Sequence, residues 1–352
     1  MGSASANAPR DGETASTGGA GAPTLPAGPL ERDPDAVLEY LSDFVVFAGR
    51  EVNAEQAAGS TAEPKRLVLA FDANRGRAGK SYAAEHFAVM WVEGRGWVEL
   101  GATSDVPGSP AHFERLAGAV IPAGPKVRSE GDALRGLQLF IASKELHLVA
   151  EPIALTTDRR EGANAFATGA AAAQLKLGAR TFVGVVHYEL CYLAGLNPLA
   201  KTYTDLFGDG YHGVYALTGD GRPLRMHRSG GRLESLVQRR CGYLAPTPGA
   251  SVRELPKFSF DLSKRSLGGF FRWPGRYTSS WQTPLPAATG TGADRAPLDP
   301  RPTQTSRLSV DLSERETLIN YVFGGVAIAI ATGELIEGDS RQPVFGFALI
   351  VL

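Results

Sequence analysis

Along most of the chain, hydrophobic and polar residues alternate with a period of two, the repeat of a β-strand. Strand-like runs occupy 66–72 (RLVLAFD), 82–92 (YAAEHFAVMWV), 96–101, 134–143, 145–155, 171–178 and 180–193 (RTFVGVVHYELCYL). A second series opens with YHGVYALTGDGRPLRMHRSGG at 211 and continues through 257–263, 268–286, 306–314, 318–335 and 343–352. Gly219-Asp220-Gly221 predicts a tight hairpin turn, and residues 74–76 a second one. One stretch, DPDAVLEYLSDFVVFAG (33–49), has a helical period instead. Asp33 suits an N-cap, Pro34 the first helical position, and Gly49 the stop. Val37, Leu38, Leu41, Phe44 and Val45 then fall on one face. A short helix is predicted at 112–116, and a loop at 287–302.

Many strands with Gly, Pro and Asp turns and one amphipathic helix predict an all-β fold, sandwich or barrel. Two series of similar length predict two β-domains in tandem, 31–195 and 210–352, joined by a Gly- and Pro-containing linker. Residues 1–30 are mostly Gly, Ala, Ser, Thr and Pro without an apolar run, which predicts a disordered tail and no signal peptide.

The 180–193 strand carries the most suggestive chemistry. Val183, Val185, His187, Glu189 and Cys191 share one face, and Val186, Tyr188, Leu190 and Tyr192 the other. An acid and an imidazole two residues apart among apolar neighbours suit proton transfer in a cavity, since desolvation raises a carboxyl pKa. Glu189 is the candidate general acid/base, and His187 the group that orients it or a water. In the 82–92 strand Glu85, Phe87, Val89 and Trp91 share a face, whereas His86 points the other way. Glu85, His86, Trp91, Tyr188, Tyr192, Trp273 and Tyr277 are candidate ligand-lining residues.

Composition removes other classes. The 352 residues carry a formal net charge of -1, without a basic run, so no nucleic-acid partner is expected. No stretch has the roughly 18 apolar residues of a membrane helix. Two cysteines and six scattered histidines give no disulfide framework and no HxH, HExxH or CxxC metal spacing. The Gly79-Lys80-Ser81 triplet imitates a phosphate-binding loop, but Asn74 stands where its first glycine belongs. No cofactor or metal is expected, and a cytoplasmic location is the default.

The order of short motifs resembles a known family. The first series ends in Gly184, Tyr188 and Glu189, and the second opens on the Asp220-Gly221 turn. Trp273-Pro274 with Tyr277 and Trp281 follow, then Tyr321 with Gly324 and Gly325 before a terminal strand pair. This order is similar to the carotenoid 1,2-hydratase/AttH-like proteins, over about residues 60–352. The resemblance implies two lipocalin-like barrels and a hydratase or cyclase acting on polyenes or terpenoids in secondary metabolism. The family's strand usually sets an acid next to His or Trp. Here the order is His187-Tyr188-Glu189, without an Asp. The expected function is therefore a cofactor-free lyase or isomerase acting on an apolar, unsaturated metabolite. The alternative is a non-catalytic carrier of a lipid or polyene.

Overall fold

The structure is a computed structural model that describes residues 38–52, 64–78, 81–105, 128–132, 136–141, 144–161, 164–194, 210–229, 240–255, 257–263, 266–268, 271–284, 303–321 and 324–351. These residues belong to one compact unit. The expected tail, the helix at 112–116 and the loop at 287–302 lie outside them.

The chain is all-β, with two curled antiparallel sheets. The first contains β1 (Leu38–Glu51), β2 (Arg66–Ala78), β3 (Ser81–Val92), β4 (Gly96–Asp105) and β5 (Arg128–Asp132). It continues with β6 (Gly136–Ile141), β7 (Leu146–Ala150), β8 (Ala154–Glu161), β9 (Asn164–Leu177) and β10 (Arg180–Ala194). Their spatial order is β4-β3-β2-β1-β10-β9-β7-β6-β5, with β8 also paired to β9. The second half contains β11 (Tyr211–Thr218), β12 (Pro223–Ser229), β13 (Arg240–Leu244), β14 (Arg253–Glu254), β15 (Asp261–Ser263) and the small pair β16 (Ser266–Gly268) and β17 (Phe271–Trp273). After these come β18 (Arg276–Pro284), β19 (Thr303–Tyr321), β20 (Gly324–Glu337) and β21 (Ser340–Val351). The second sheet runs β14-β13-β12-β11-β21-β20-β19-β18-β15.

From Leu38 onward the predicted N-terminal helix is instead strand β1, paired on one side with β10 and on the other with β2. The reason is double burial. Val45 and Phe47 pack inside the first sheet, while Phe44, Val46 and Ala48 pack on its other face. A strand covered on both faces is apolar almost throughout, and such a run matches a helical period as readily as a strand. Residues 33–37, with the expected cap, lie outside the described residues. The turn expected at 74–76 also moves. Asn74, Arg75 and Gly76 pair with Glu85, Ala84 and Ala83, and the ladder continues to Ala78 and Ser81. The turn at 219–221 is where its residues put it: Gly221 takes φ +91° and the Thr218 N–H bonds to the Arg222 carbonyl at 3.0 Å.

Three apolar layers hold the molecule together. One lies within the first sheet (Phe47, Leu69, Met90, Leu139, Phe182) and one within the second (Met226, Phe260, Tyr277, Val310). The third joins the sheets: Phe44, Val68, Trp91 and Val185 from the first meet Tyr215, Ile330 and Phe347 from the second. A polar latch reinforces this seam. Trp91 Nε1 donates to the Glu314 carboxylate and Trp97 Nε1 to the Glu314 carbonyl. Glu314 holds φ 46° at an irregularity in the β19–β20 register. No helix among the described residues is long and apolar enough to cross a membrane, which says nothing about crossing by strands.

Candidate functional site at the seam

The alternation of β10 sorts its side chains as the sequence predicts, but the acid-bearing face looks away from the first sheet's interior. Val186 and Tyr188 point into that interior. Val185 joins the layer between the sheets, and His187 and Glu189 follow it on the same face. Across β9, Phe166, Thr168 and Ala170 pair with Cys191, Glu189 and His187 and share that face. The opposing wall comes from the outer faces of β11, β12 and β13. Tyr211 and Tyr215 alternate with the core residues Val214 and Ala216, Arg225 lies between Leu224 and Met226, and Tyr243 precedes Leu244.

Glu189 meets three donors from the second sheet. Its Oε2 accepts from the Tyr211 hydroxyl at 2.9 Å, from the Tyr215 hydroxyl at 2.9 Å, and from Arg225 Nη2 in an ion pair. The two phenol oxygens are 2.8 Å apart, and Arg225 Nη2 also reaches the Tyr211 oxygen at 3.1 Å. Burial pushes both phenols well above the usual tyrosine range, and the Glu189 charge adds to it, so both remain protonated donors. Burial opposes the Arg225 charge. The Glu189 carboxylate outweighs that cost and holds the guanidinium protonated. Arg225 is 0% exposed, whereas the Glu189 side chain keeps 13% of its surface accessible. Phe166 and Tyr215 lie 5.8 and 5.2 Å below the guanidinium, and His227 stacks on Tyr211 at 5.3 Å.

Among the described residues His187 makes no hydrogen bond to Glu189. Its Nε2 lies 3.1 Å from the Ala216 carbonyl, which can only accept, so the proton sits on Nε2. Its Nδ1 lies 2.8 Å from the Tyr243 hydroxyl, which also donates to the Gly169 carbonyl at 2.7 Å. With one proton, the Tyr243 hydroxyl donates to either Nδ1 or the Gly169 carbonyl at a time. Burial lowers the His187 pKa to about 3, helped by the Arg225 charge and opposed by the bond to Ala216. The ring is a neutral tie between the sheets. Cys191, next to Glu189 on the same face of β10, is buried, and burial pushes its thiol up, with Glu189 adding.

The other predicted residues are dispersed. Tyr188 is in the first sheet's core, and Trp91 is in the latch to Glu314. Tyr277 is inside the second sheet, where its hydroxyl meets His212 Nδ1 at 3.1 Å. Trp273 packs on Ala327 and Ile350, beneath the Arg315 guanidinium at 5.4 Å. Glu85 and His86 lie on β3 and Tyr192 on β10, but their side chains fall outside the described residues. Among the described residues no group of three His, Cys, Asp or Glu is placed to hold a metal ion.

Sequence reasoning missed Tyr211, Tyr215, Arg225, Tyr243 and Thr168. In LRMHR the basic residues alternate with Leu224 and Met226, as on a solvated outer face. A signal did exist in β11: YHGVYALT has no polar face, and all eight residues are buried. A strand of that kind is covered on both sides.

No protein-family model matches the sequence, and no curated protein matches it. Among solved structures, the chain is similar to kievitone hydratase from Nectria haematococca. The match has a TM-score of 0.50 at 11% identity and covers 90% of each chain. It is also similar to a protein assigned as an AttH from Nitrosomonas europaea, with a TM-score of 0.49 and 10% identity, over 93% of this chain and 98% of that one. At such identity the likeness to the hydratase establishes the shared fold.

Proposed function

We propose that the protein is a hydratase- or cyclase-type enzyme that uses Glu189 for acid–base catalysis, without a cofactor, on an uncharged, apolar and unsaturated small molecule. The observation that carries this is the way Glu189 is held. Among the described residues all its hydrogen bonds go to Oε2, from Tyr211, Tyr215 and Arg225, so Oε1 is the oxygen left to meet water or substrate. A carboxylate gripped on one oxygen is fixed in direction, and fixed direction is worth much of the barrier in proton transfer. In hydration, Oε1 takes a proton from the attacking water as its oxygen bonds to carbon, then gives that proton to the other alkene carbon and is a carboxylate again. In cyclisation the same group removes and returns a proton. Phe166 and the apolar seam exclude water around the reacting centre.

The fold shared with kievitone hydratase supports the reaction class, as does the order of motifs in the sequence. In this reading 31–195 and 210–352 act as paired domains, and the chemistry sits where they meet. His187 is a positioning residue: bonded to Ala216 and Tyr243, it seats β10 against the second sheet and so places Glu189.

The test is to incubate the protein with metabolite extracts in ¹⁸O-labelled water and follow products by mass spectrometry. A hydratase gives adducts carrying the label; a cyclase gives isomers of unchanged mass. Glu189→Gln should lose turnover and keep ligand binding. Equal product from wild type and Glu189→Gln overturns the acid–base role. Binding without any product favours the carrier.

A further inference from the structure

Arg225 uses only part of its hydrogen-bonding capacity. A guanidinium has five N–H groups. Nη2 serves Glu189 and Tyr211, but Nε and Nη1 are buried and have no hydrogen-bond partner among the described residues. Thr168 Oγ1 is likewise buried without a partner among those residues, on a side chain that is 0% exposed. Both flank Glu189, Thr168 from β9 and Arg225 from β12. Thr168 pairs directly with Glu189 across β9 and β10, and Glu189 holds the other end of the same guanidinium. Phe166, two residues along the same face of β9, lies under Arg225 at 5.8 Å.

Unpaired N–H groups of a buried cation are costly, more so than those of a neutral amide. Something that accepts hydrogen bonds belongs there. Charge narrows the choice. The Glu189 carboxylate already pairs with Arg225, so an added carboxylate or phosphate would find no free positive charge and would be repelled by Glu189. A neutral oxygen fits. It accepts from Nε or Nη1, and the Thr168 hydroxyl can donate to it as well.

We propose that Arg225 Nε/Nη1 and Thr168 Oγ1 form a subsite for one uncharged oxygen acceptor, filled by an ordered water in the resting protein and by a ligand carbonyl oxygen when a ligand is bound. This deepens the proposed function and rests on it for the location. It adds that the ligand carries a ketone- or enone-type oxygen next to its apolar, unsaturated part. The aromatic rings of Phe166 and Tyr215, 5.8 and 5.2 Å from the guanidinium, suit a flat conjugated group at that point.

The experiment uses the full-length protein and β-ionone, an apolar enone, with the hydrocarbon of the same skeleton as control. Crystal structures should show a water bonded to Arg225 and Thr168 without ligand, and the β-ionone oxygen in its place with ligand. Thr168→Val, which keeps the shape and removes the hydroxyl, should weaken β-ionone binding about 10-fold and leave hydrocarbon binding unchanged. Arg225→Lys, which keeps a cation for Glu189, should do the same or more. A water that stays in place, an anion in the position, no β-ionone binding, or equal loss for enone and hydrocarbon overturns the subsite. Because these are binding measurements, they fail independently of the Glu189→Gln turnover test. A dead Glu189→Gln with unaltered enone preference in Thr168→Val would sink the subsite alone.

Discussion

Acidification tests the buried, neutral state of His187. Burial, seconded by the Arg225 charge, lowers its pKa from 6.5 to about 3 in the folded protein. Well above pH 6.5 the ring is neutral whether the chain is folded or not, and it contributes nothing to the pH dependence of stability. Between that pH and about 3 the unfolded chain binds a proton that the folded protein refuses, so stability falls as pH falls. The slope approaches about 1.4 kcal/mol per pH unit, which amounts to about 2 kcal/mol lost at pH 5 and roughly 5 kcal/mol below pH 3. His187→Gln cannot titrate. At pH 7.5 it should be less stable than wild type by about 1–2 kcal/mol, because an amide reaches Ala216 and Tyr243 less well. At pH 5 that deficit should shrink by about 2 kcal/mol and vanish or reverse. Urea unfolding at both pH values, read as the difference between the two proteins, isolates this residue because every other titrating group is common to both. A wild-type-minus-variant difference that stays the same at pH 7.5 and pH 5 would refute a neutral, buried His187.

Two further outcomes follow from the seam's geometry. Arg225→Met strands Glu189 opposite two phenols with no cation, and should cost about 3 kcal/mol, the low end for a broken buried pair because Glu189 keeps some solvent contact. The double variant Glu189→Met/Arg225→Met should recover most of that loss in thermal unfolding, and equal losses for single and double variants would show that the pair is not coupled. Gly184→Ala should lower the unfolding free energy measured in urea by about 2 kcal/mol or more, since an added Cβ would stand 2.0 Å from the Ala48 carbonyl oxygen and 2.5 Å from Gly49 Cα. A midpoint within error of wild type would mean that β1 and β10 can separate freely there.

How much of this was legible in the sequence depends on which physical rule each segment obeys. Period-two alternation is local, so the strands, the Gly219–Gly221 turn and the partition of β10 into two faces could be read directly. Alternation does not say which face meets which partner. The Glu189 face read as the wall of a cavity without a fixed position; it lies outside the first sheet and is closed by the second. β1 failed for the same reason: a strand packed on both sides loses its polar face and with it the signal that separates strand from helix. Arg225 is the extreme case. Its alternation with Leu224 and Met226 is that of a solvated strand, and only the docking of the other sheet turns it into a buried cation.

That docking explains why the polar groups of the site come in cross-sheet pairs. Each sheet already satisfies its backbone through its own ladders, so the contact between sheets falls to side chains. Glu189 on β10 finds its donors on β11 and β12, and His187 on β10 finds its acceptor at Ala216 on β11. Tyr243 on β13 returns the contact to the Gly169 carbonyl on β9. Separated, the first sheet would carry Glu189 without its cation, and the second would carry Arg225 with a face of tyrosines open to water. The ion pair forms only as water leaves the seam, and the loss of water that makes it costly also fixes its geometry. A carboxylate whose direction is set by the other sheet, and a guanidinium with N–H groups still to satisfy, both follow from closing two outer strand faces on each other. The candidate site is a property of the junction, present in neither sheet alone.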